Sequence, residues 1–306
     1  MDRRIKFRHL DVFSAICRNL SLKRAADEIG LTQPAISKTL AELEEILGAR
    51  LLERSRAGVQ ITAAGEIFLQ FAEQSSGAIR QGIRAVQGNP GRAGRLRIGA
   101  LPSVASFLLP RALHRLTQSI PDLLIDIHEG PHRDLTAKLR SGALDLVFGR
   151  LGLAESMEGL SFHQFYTEDV VVVTAPDSPA LEARSFAALA GFQVLYPPQD
   201  SAIRPLVARA LMAQGVPLYE NRIECASAAC ARALVLEAPG SVWFTSRGVV
   251  AHDLAEGRLE ALQIDTGATL GAVGAMARRS DVMSPVSRRF LQEAAREADI
   301  LIQSSI

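Results

Sequence analysis

Pro34 lies inside a long stretch, "SLKRAADEIGLTQPAISKTLAELEEILGARLLER" (21–54), whose apolar residues are spaced for helix on both sides of it. One unbroken helix is excluded. An interior proline removes a backbone hydrogen bond and clashes with the preceding turn. The conflict disappears if a new helix starts just before it. Ser21 then caps a first helix, and Gly30 ends that helix in a left-handed conformation. Thr32 caps a second, and Pro34 falls in its first turn, where a missing N–H costs little. Ala25, Ala26 and Ile29 form the inward stripe of the first helix. Ala35, Ile36, Leu40, Leu43 and Leu47 form that of the second, which Gly48 closes. A preceding helix is expected over Phe7–Arg18, with Leu10, Phe13 and Ile16/Cys17 on its apolar side.

Two short helices joined by "GLT" make a helix-turn-helix. Its second helix presents Thr32, Gln33, Pro34, Ser37 and Lys38, the positions that enter a major groove. Glutamine can pair with adenine, and the hydroxyls and the proline carbons suit other base edges. "ARLLERSRAGVQIT" (49–62) reads as two short strands around Gly58, a wing that sets Arg54 and Arg56 against phosphate or minor groove. With Ser21, these eight residues are the candidate contacts to double-stranded DNA. The competing reading is a small helical packing domain with a solvated polar face.

Charge is distributed to match. Residues 1–97 hold 16 Lys+Arg against 10 Asp+Glu, a balance of +6, and residues 98–306 hold 18 against 23, a balance of −5. A basic third on an acidic remainder suits a nucleic-acid module joined to something else. Charge alone fits uneven sampling equally well. Three cysteines make no disulfide framework and fit a reducing compartment. No secretory signal and no apolar run of membrane-spanning length is visible, so a soluble cytoplasmic protein is expected.

"AAGEIFLQFAEQSSGAIRQGIRAVQ" (63–87) carries apolar or small residues every three or four positions, giving a helix of about 25 residues. Its stripe needs a partner, either the same helix of a second subunit or the chain's own C-terminal part. "GNPGRAGR" (88–95) reads as a hinge. From Arg95 the rhythm changes: "RLRIGA", "LLIDIHEG" and "LDLVFGR" read as strands, "SVASFLLPRALHRLTQS" and "DLTAKLRSG" as helices. This alternation predicts α/β lobes with largely parallel sheets and a ligand cleft at the carboxyl ends of the strands. Ser103, His132, Arg150, Ser201 and Ser227 fall at such ends. A hydroxyl at a helix start is more often a simple cap, and a lone histidine more often a surface or capping group. Arg150 says more, because a charge ending a buried strand needs an anion, either a ligand carboxylate or a nearby Asp.

Catalytic signatures are missing. No GxSxG, phosphate-loop or GxGxxG pattern occurs. "HEGPH" (128–132) matches HExxH as text, but Gly130 and Pro131 oppose the helix that a zinc site needs. Cys225 and Cys230, five residues apart, read as two buried structural thiols, with a redox pair as the alternative. An enzyme is therefore disfavoured. A binding or transport module would leave the first ninety residues unexplained. A ligand-responsive DNA-binding regulator accounts for both parts.

The signature from Phe7 to Gly65 is similar to that of LysR-type transcriptional regulators, through "AA" at 25–26, "TQPAIS" at 32–37, "LE" at 43–44, "LGARLLER" at 47–54 and "TAAG" at 62–65. The resemblance implies a winged helix-turn-helix over 1–62, a dimerising linker helix and hinge over 63–90, and a two-lobed effector domain over 91–306. This domain resembles a periplasmic binding protein. Lobe I would take 91–166 with 268–306, and lobe II 167–267. It also implies a homodimer through the linker helix, a homotetramer on bent promoter DNA, RNA polymerase as a further contact, and no membrane partner. A small-molecule effector takes the place of any catalytic cofactor. It puts Thr32, Gln33, Pro34, Ser37 and Lys38 on the recognition helix and Arg54 and Arg56 on the wing. Ser103, His132, Arg150, Ser201 and Ser227 fall on effector-pocket positions. "RIKFRHL" (4–10), "RIGALPS" (97–103) and "ALDLVFGRL" (143–151) resemble the group that controls aromatic-acid catabolism, most of all protocatechuate-pathway activators, or sugar catabolism. His132 departs from the small hydroxyl residue common there in aromatic-acid regulators, which suggests a different or more strongly anionic effector.

Overall fold

The computed structural model describes residues 4–55, 58–87, 94–152, 154–279 and 283–304. The chain divides into two compact units, one built on Met1–Asn89 with Arg140–Ala143 and one on Pro90–Leu139 with Leu144–Ile306.

In the first unit, α1 (Phe7–Asn19) ends at Leu20, which adopts the left-handed conformation (φ 47°) so that Ser21 can start the next helix at once. The Ser21 hydroxyl accepts the Arg24 N–H at the start of α2 (Leu22–Ile29), and Gly30 (φ 68°) closes it. Thr32 Oγ1 accepts the Ala35 N–H at the start of α3 (Gln33–Leu47). Pro34 occupies the first turn of α3, as the sequence requires. Val12, Phe13, Ile16, Ala25, Ala26, Ile36, Leu40 and Leu43 make one buried core. Burying a large aliphatic or aromatic side chain of this kind contributes roughly 1.5–3 kcal/mol before entropy is counted.

A two-stranded antiparallel wing follows, β1 (Leu52–Ser55) on β2 (Gly58–Ile61). Glu44 of α3 anchors it by accepting the N–H groups of Leu51 and Leu52. Then α4 (Ala63–Gln87) begins, with the Thr62 hydroxyl donating to the Arg50 carbonyl and accepting the Gly65 N–H. Phe68 of α4 packs on Phe13, their ring centres 5.6 Å apart.

The second unit holds two five-stranded sheets. β3 (Arg95–Ala100), α5 (Pro102–Ser106), α6 (Leu109–Ser119), β4 (Leu124–Glu129), α7 (His132–Arg140), β5 (Leu146–Arg150) and β6 (Leu160–Glu168) open the first lobe. The chain crosses through Asp169 into β7 (Val170–Thr174), β8 (Gln193–Tyr196), α8 (Arg204–Ala213), β9 (Arg222–Glu224), α9 (Ala228–Glu237), β10 (Ser241–Ser246), α10 (Ala251–Ala255) and β11 (Glu260–Ala261). It returns through Thr269 to β12 (Gly271–Arg278) and α11 (Pro285–Ser304). The first sheet runs β4-β3-β5-β12-β6 and the second β11-β7-β10-β8-β9.

The sheets are mixed rather than largely parallel. β3 pairs in parallel with β4 and β5, whereas β12 is antiparallel to β5 and β6. In the second sheet β8 pairs in parallel with β9 and β10, whereas β7 is antiparallel to β10 and β11. The antiparallel members are the strands next to the two crossings, where the chain passes between lobes without the helical connection that a parallel pair needs. The single helix expected over "SVASFLLPRALHRLTQS" is two, because Pro110 cannot donate back to the preceding turn.

Candidate functional site

Two sites arise, one in each unit. In the first, the start of α3 stands open. Thr32, Gln33, Pro34 and Lys38 are exposed and Ser37 is half-buried. No acid lies in the first turn, so the positive end of the helix dipole and Lys38 face outward together. The helix cap explains the order: Thr32 holds the first turn, Pro34 fixes its backbone, and the inward stripe of Ile36 and Leu40 turns the other side chains out. Ser21 is half-buried and serves as the cap of α2. Arg54 lies in β1 opposite Val59, and Arg56 lies outside the described residues.

The second site is a cavity of about 340 Å³ in the C-terminal unit. It sits where strands of both sheets end. Leu101 and Pro102 follow β3, Glu129 ends β4, Arg150 ends β5, Pro197 follows β8, Cys225 follows β9 and Ser246 ends β10. Trp243, Phe244, Ile203 and Val249 add to an apolar wall, and Ser103, Ser201, Thr245 and Ser246 supply hydroxyls. Ser103, His132, Arg150 and Ser201 thus all line the cavity. Ser227 does not line it. The Ser227 hydroxyl caps α9 by accepting the Cys230 N–H, and Cys225, Ala226 and Ala228 form the wall there. His132, buried, opens α7, and Gly152 leaves room for its ring: a Cβ there would lie 2.4 Å from His132 Cε1.

Arg150 is 4% exposed, and the carboxylate paired with it is that of Glu168, the last residue of β6. Arg150 Nη2 lies 3.6 Å from Glu168 Oε2, and Nη1 donates to the Thr269 carbonyl at 3.2 Å. Glu168 Oε1 accepts the Gly248 N–H at 2.5 Å, and the Ser103 side chain also acts to hold its carboxyl down. Burial drives the Glu168 carboxyl above the ordinary carboxylate range, against the pull of Gly248 and Arg150. Burial likewise lowers the Arg150 guanidinium from its usual value, opposed by Glu168. The sequence reading missed Glu168. Its signal was an acidic pair, "ED" at 168–169, placed directly before the wholly apolar "VVVV".

Three other expectations meet the structure here. The helix that "HEGPH" would require does not form: His128 lies in β4 and α7 starts only at His132. Among the described residues no group of three or more His, Cys, Asp or Glu is placed to hold a metal ion. The two thiols expected to be buried are not. Cys225 is half-buried on the cavity wall and Cys230 is exposed, because the start of α9 faces outward.

Residues 7–66 match the family described as bacterial regulatory helix-turn-helix proteins of the lysR family, and residues 89–299 match the LysR substrate binding domain. The chain belongs to the LysR family. It is 40% identical to the HTH-type transcriptional regulator PcaQ of Agrobacterium fabrum over 301 residues, 97% of this chain and 96% of that one. It is 33% identical to the regulator YdcI of Escherichia coli over 86% of each chain. Its fold is that of the LysR regulator CbnR, with a TM-score of 0.58 at 21% identity over 96% of this chain and 99% of that one. The protein is thus a LysR-type DNA-binding transcriptional regulator with an effector-binding domain, and not an enzyme. No described helix is long and apolar enough to cross a membrane.

Proposed function

We propose that this regulator reads double-stranded promoter DNA through Thr32, Gln33, Pro34, Ser37 and Lys38 of α3, together with Ser21 and the wing residues Arg54 and Arg56. It responds to a small carboxylic acid held in the cavity between the lobes, against Ser103, His132, Arg150 and Ser201. The observation that carries the ligand reading is the cavity. About 340 Å³ with an apolar wall and a few hydroxyls suits a single ring better than a sugar, whose many hydroxyls would face Trp243, Phe244 and Val249 without partners. Aromatic-acid catabolism of the protocatechuate type is the pathway favoured by the sequence resemblance, and the likeness to PcaQ over nearly the whole chain supports it. Activation in the cytoplasm, with RNA polymerase as a neighbour and without a catalytic cofactor, completes the reading.

The protein works as a homodimer through α4, and two dimers form a homotetramer. Ile67, Phe71, Ile79 and Ile83 support this, since they stand 46–63% exposed on that helix. The ligand acts by binding one assembly better than another, which shifts the population between them.

Thermal shift of the full chain with aromatic acids and with sugars tests the ligand. An aromatic acid present at about 100 times its Kd should stabilise the fold by roughly 2.7 kcal/mol. A response to sugars alone would overturn the reading.

A further inference from the structure

Arg150 and Glu168 are a buried ion pair with unused capacity. Both side chains are about 5% exposed or less. Arg150 Nε and Nη2, Glu168 Oε2 and the nearby Tyr166 hydroxyl are buried and make no hydrogen bond among the described residues. Arg150 itself lines the cavity, as does Ser103, whose side chain acts on the Glu168 carboxyl. A second acid, Asp169, also acts on Arg150. Asp169, the next acid in the chain, is already held by two hydrogen bonds from Arg247 at 2.8 Å each. The other titratable groups on the wall are Glu129, Asp200, His132 and Cys225.

With both members charged the pair is neutral. A ligand carboxylate arriving at Arg150 would leave two carboxylates sharing one guanidinium in a buried place, and an uncompensated buried charge is costly. A proton on Glu168 restores neutrality. The neutral acid keeps the Gly248 N–H as donor and gains an O–H to donate. We infer that Glu168 sets the charge of the ligand this cavity accepts: it occupies Arg150 as an internal carboxylate, and an anionic ligand engages Arg150 only as Glu168 takes one proton from solvent. Burial already places the Glu168 carboxyl on the side that favours this proton. The inference rests on the reading of the cavity as the ligand site.

Calorimetric titration of the full chain with benzoate, 4-hydroxybenzoate and 3,4-dihydroxybenzoate, in two buffers of different ionisation enthalpy, measures the proton directly. Close to one proton should be taken up per carboxylate bound, and affinity should fall about tenfold per pH unit on the alkaline side. Benzamide, uncharged, should bind without uptake. In Glu168→Gln the uptake should vanish and the affinity for the anions above neutral pH should rise at least about tenfold. In His132→Gln the uptake should persist.

Binding without uptake, or uptake lost in His132→Gln and kept in Glu168→Gln, overturns the assignment while leaving the ligand reading intact. If Glu168→Gln does not fold, the wild-type uptake and the His132→Gln arm decide. If none of the acids binds, the ligand reading fails, and the ligand-free protein still reports on Glu168. Its thermal midpoint relative to Glu168→Gln should rise as pH falls toward the ordinary carboxylate value, and a difference that stays flat with pH rejects a raised carboxyl there.

Discussion

Gly65 has no room for a side chain. A Cβ there would lie 2.1 Å from the Leu51 carbonyl and 2.8 Å from Ile61 Cγ2, because the first turn of α4 is pressed against the base of the wing. Gly65→Ala should therefore destabilise the N-terminal unit by at least about 1–3 kcal/mol, the usual cost of overpacking, in urea unfolding. Full stability would show that the wing can move away. Cys17 makes the opposite point about reactivity. Burial pushes its thiol up to about 12, so it is protonated and inert at neutral pH while the fold holds. Maleimide labelling followed by mass spectrometry should modify Cys230 first and Cys17 only on unfolding. Early labelling of Cys17 would contradict its place in the core.

Among the elements, α3 is held by its ends. Thr32→Ala removes the hydroxyl that accepts the Ala35 N–H and should cost about 1 kcal/mol of stability. Gln33→Ala touches no packing and should leave stability within about 0.5 kcal/mol while relaxing base preference at one position of the operator. A loss of stability in Gln33→Ala equal to that in Thr32→Ala would assign Gln33 a structural role. α4 is built differently, with Phe68 and Ala72 turned into the core and Ile67, Phe71, Ile79 and Ile83 left outside. Phe71→Asp should reduce the size of the assembly in sedimentation velocity without unfolding the chain. An assembly of unchanged size would move the interface elsewhere. Elements such as these were readable in advance. The caps at Ser21 and Thr32 and the stops at Gly30 and Gly48 are local chemistry, decided within four residues of chain. The break between α5 and α6 was not read, although Pro110 supplied the signal, because the apolar spacing continues across it.

For the molecule as a whole, operator binding should weaken with added salt, with a slope of log K against log salt that counts the phosphates neutralised. A flat plot would remove the DNA-reading role of the basic N-terminal third. Wild-type protein with the cavity ligand bound should give a similar salt slope and a changed footprint, as expected of a ligand that selects an assembly rather than adding phosphate contacts.

The amino-acid order alone determined the helix-turn-helix, the long α4, the alternation of strands and helices beyond Arg95, and the placing of Ser103, His132, Arg150 and Ser201 at strand ends. Each follows from periodicity or from a cap, and each needs only a few neighbouring residues. Tertiary structure decided what those residues face. Glu168 is 18 residues from Arg150 in the chain, and Gly248, its backbone donor, is 80 residues from Glu168. They meet only because the chain crosses between two sheets at Asp169 and returns near Thr269. Spacing along the chain carries no record of that crossing. Arg150, read as needing either a ligand carboxylate or a nearby acid, lies beside the carboxylate of Glu168, and the Ser227 hydroxyl caps α9 away from the cavity lining.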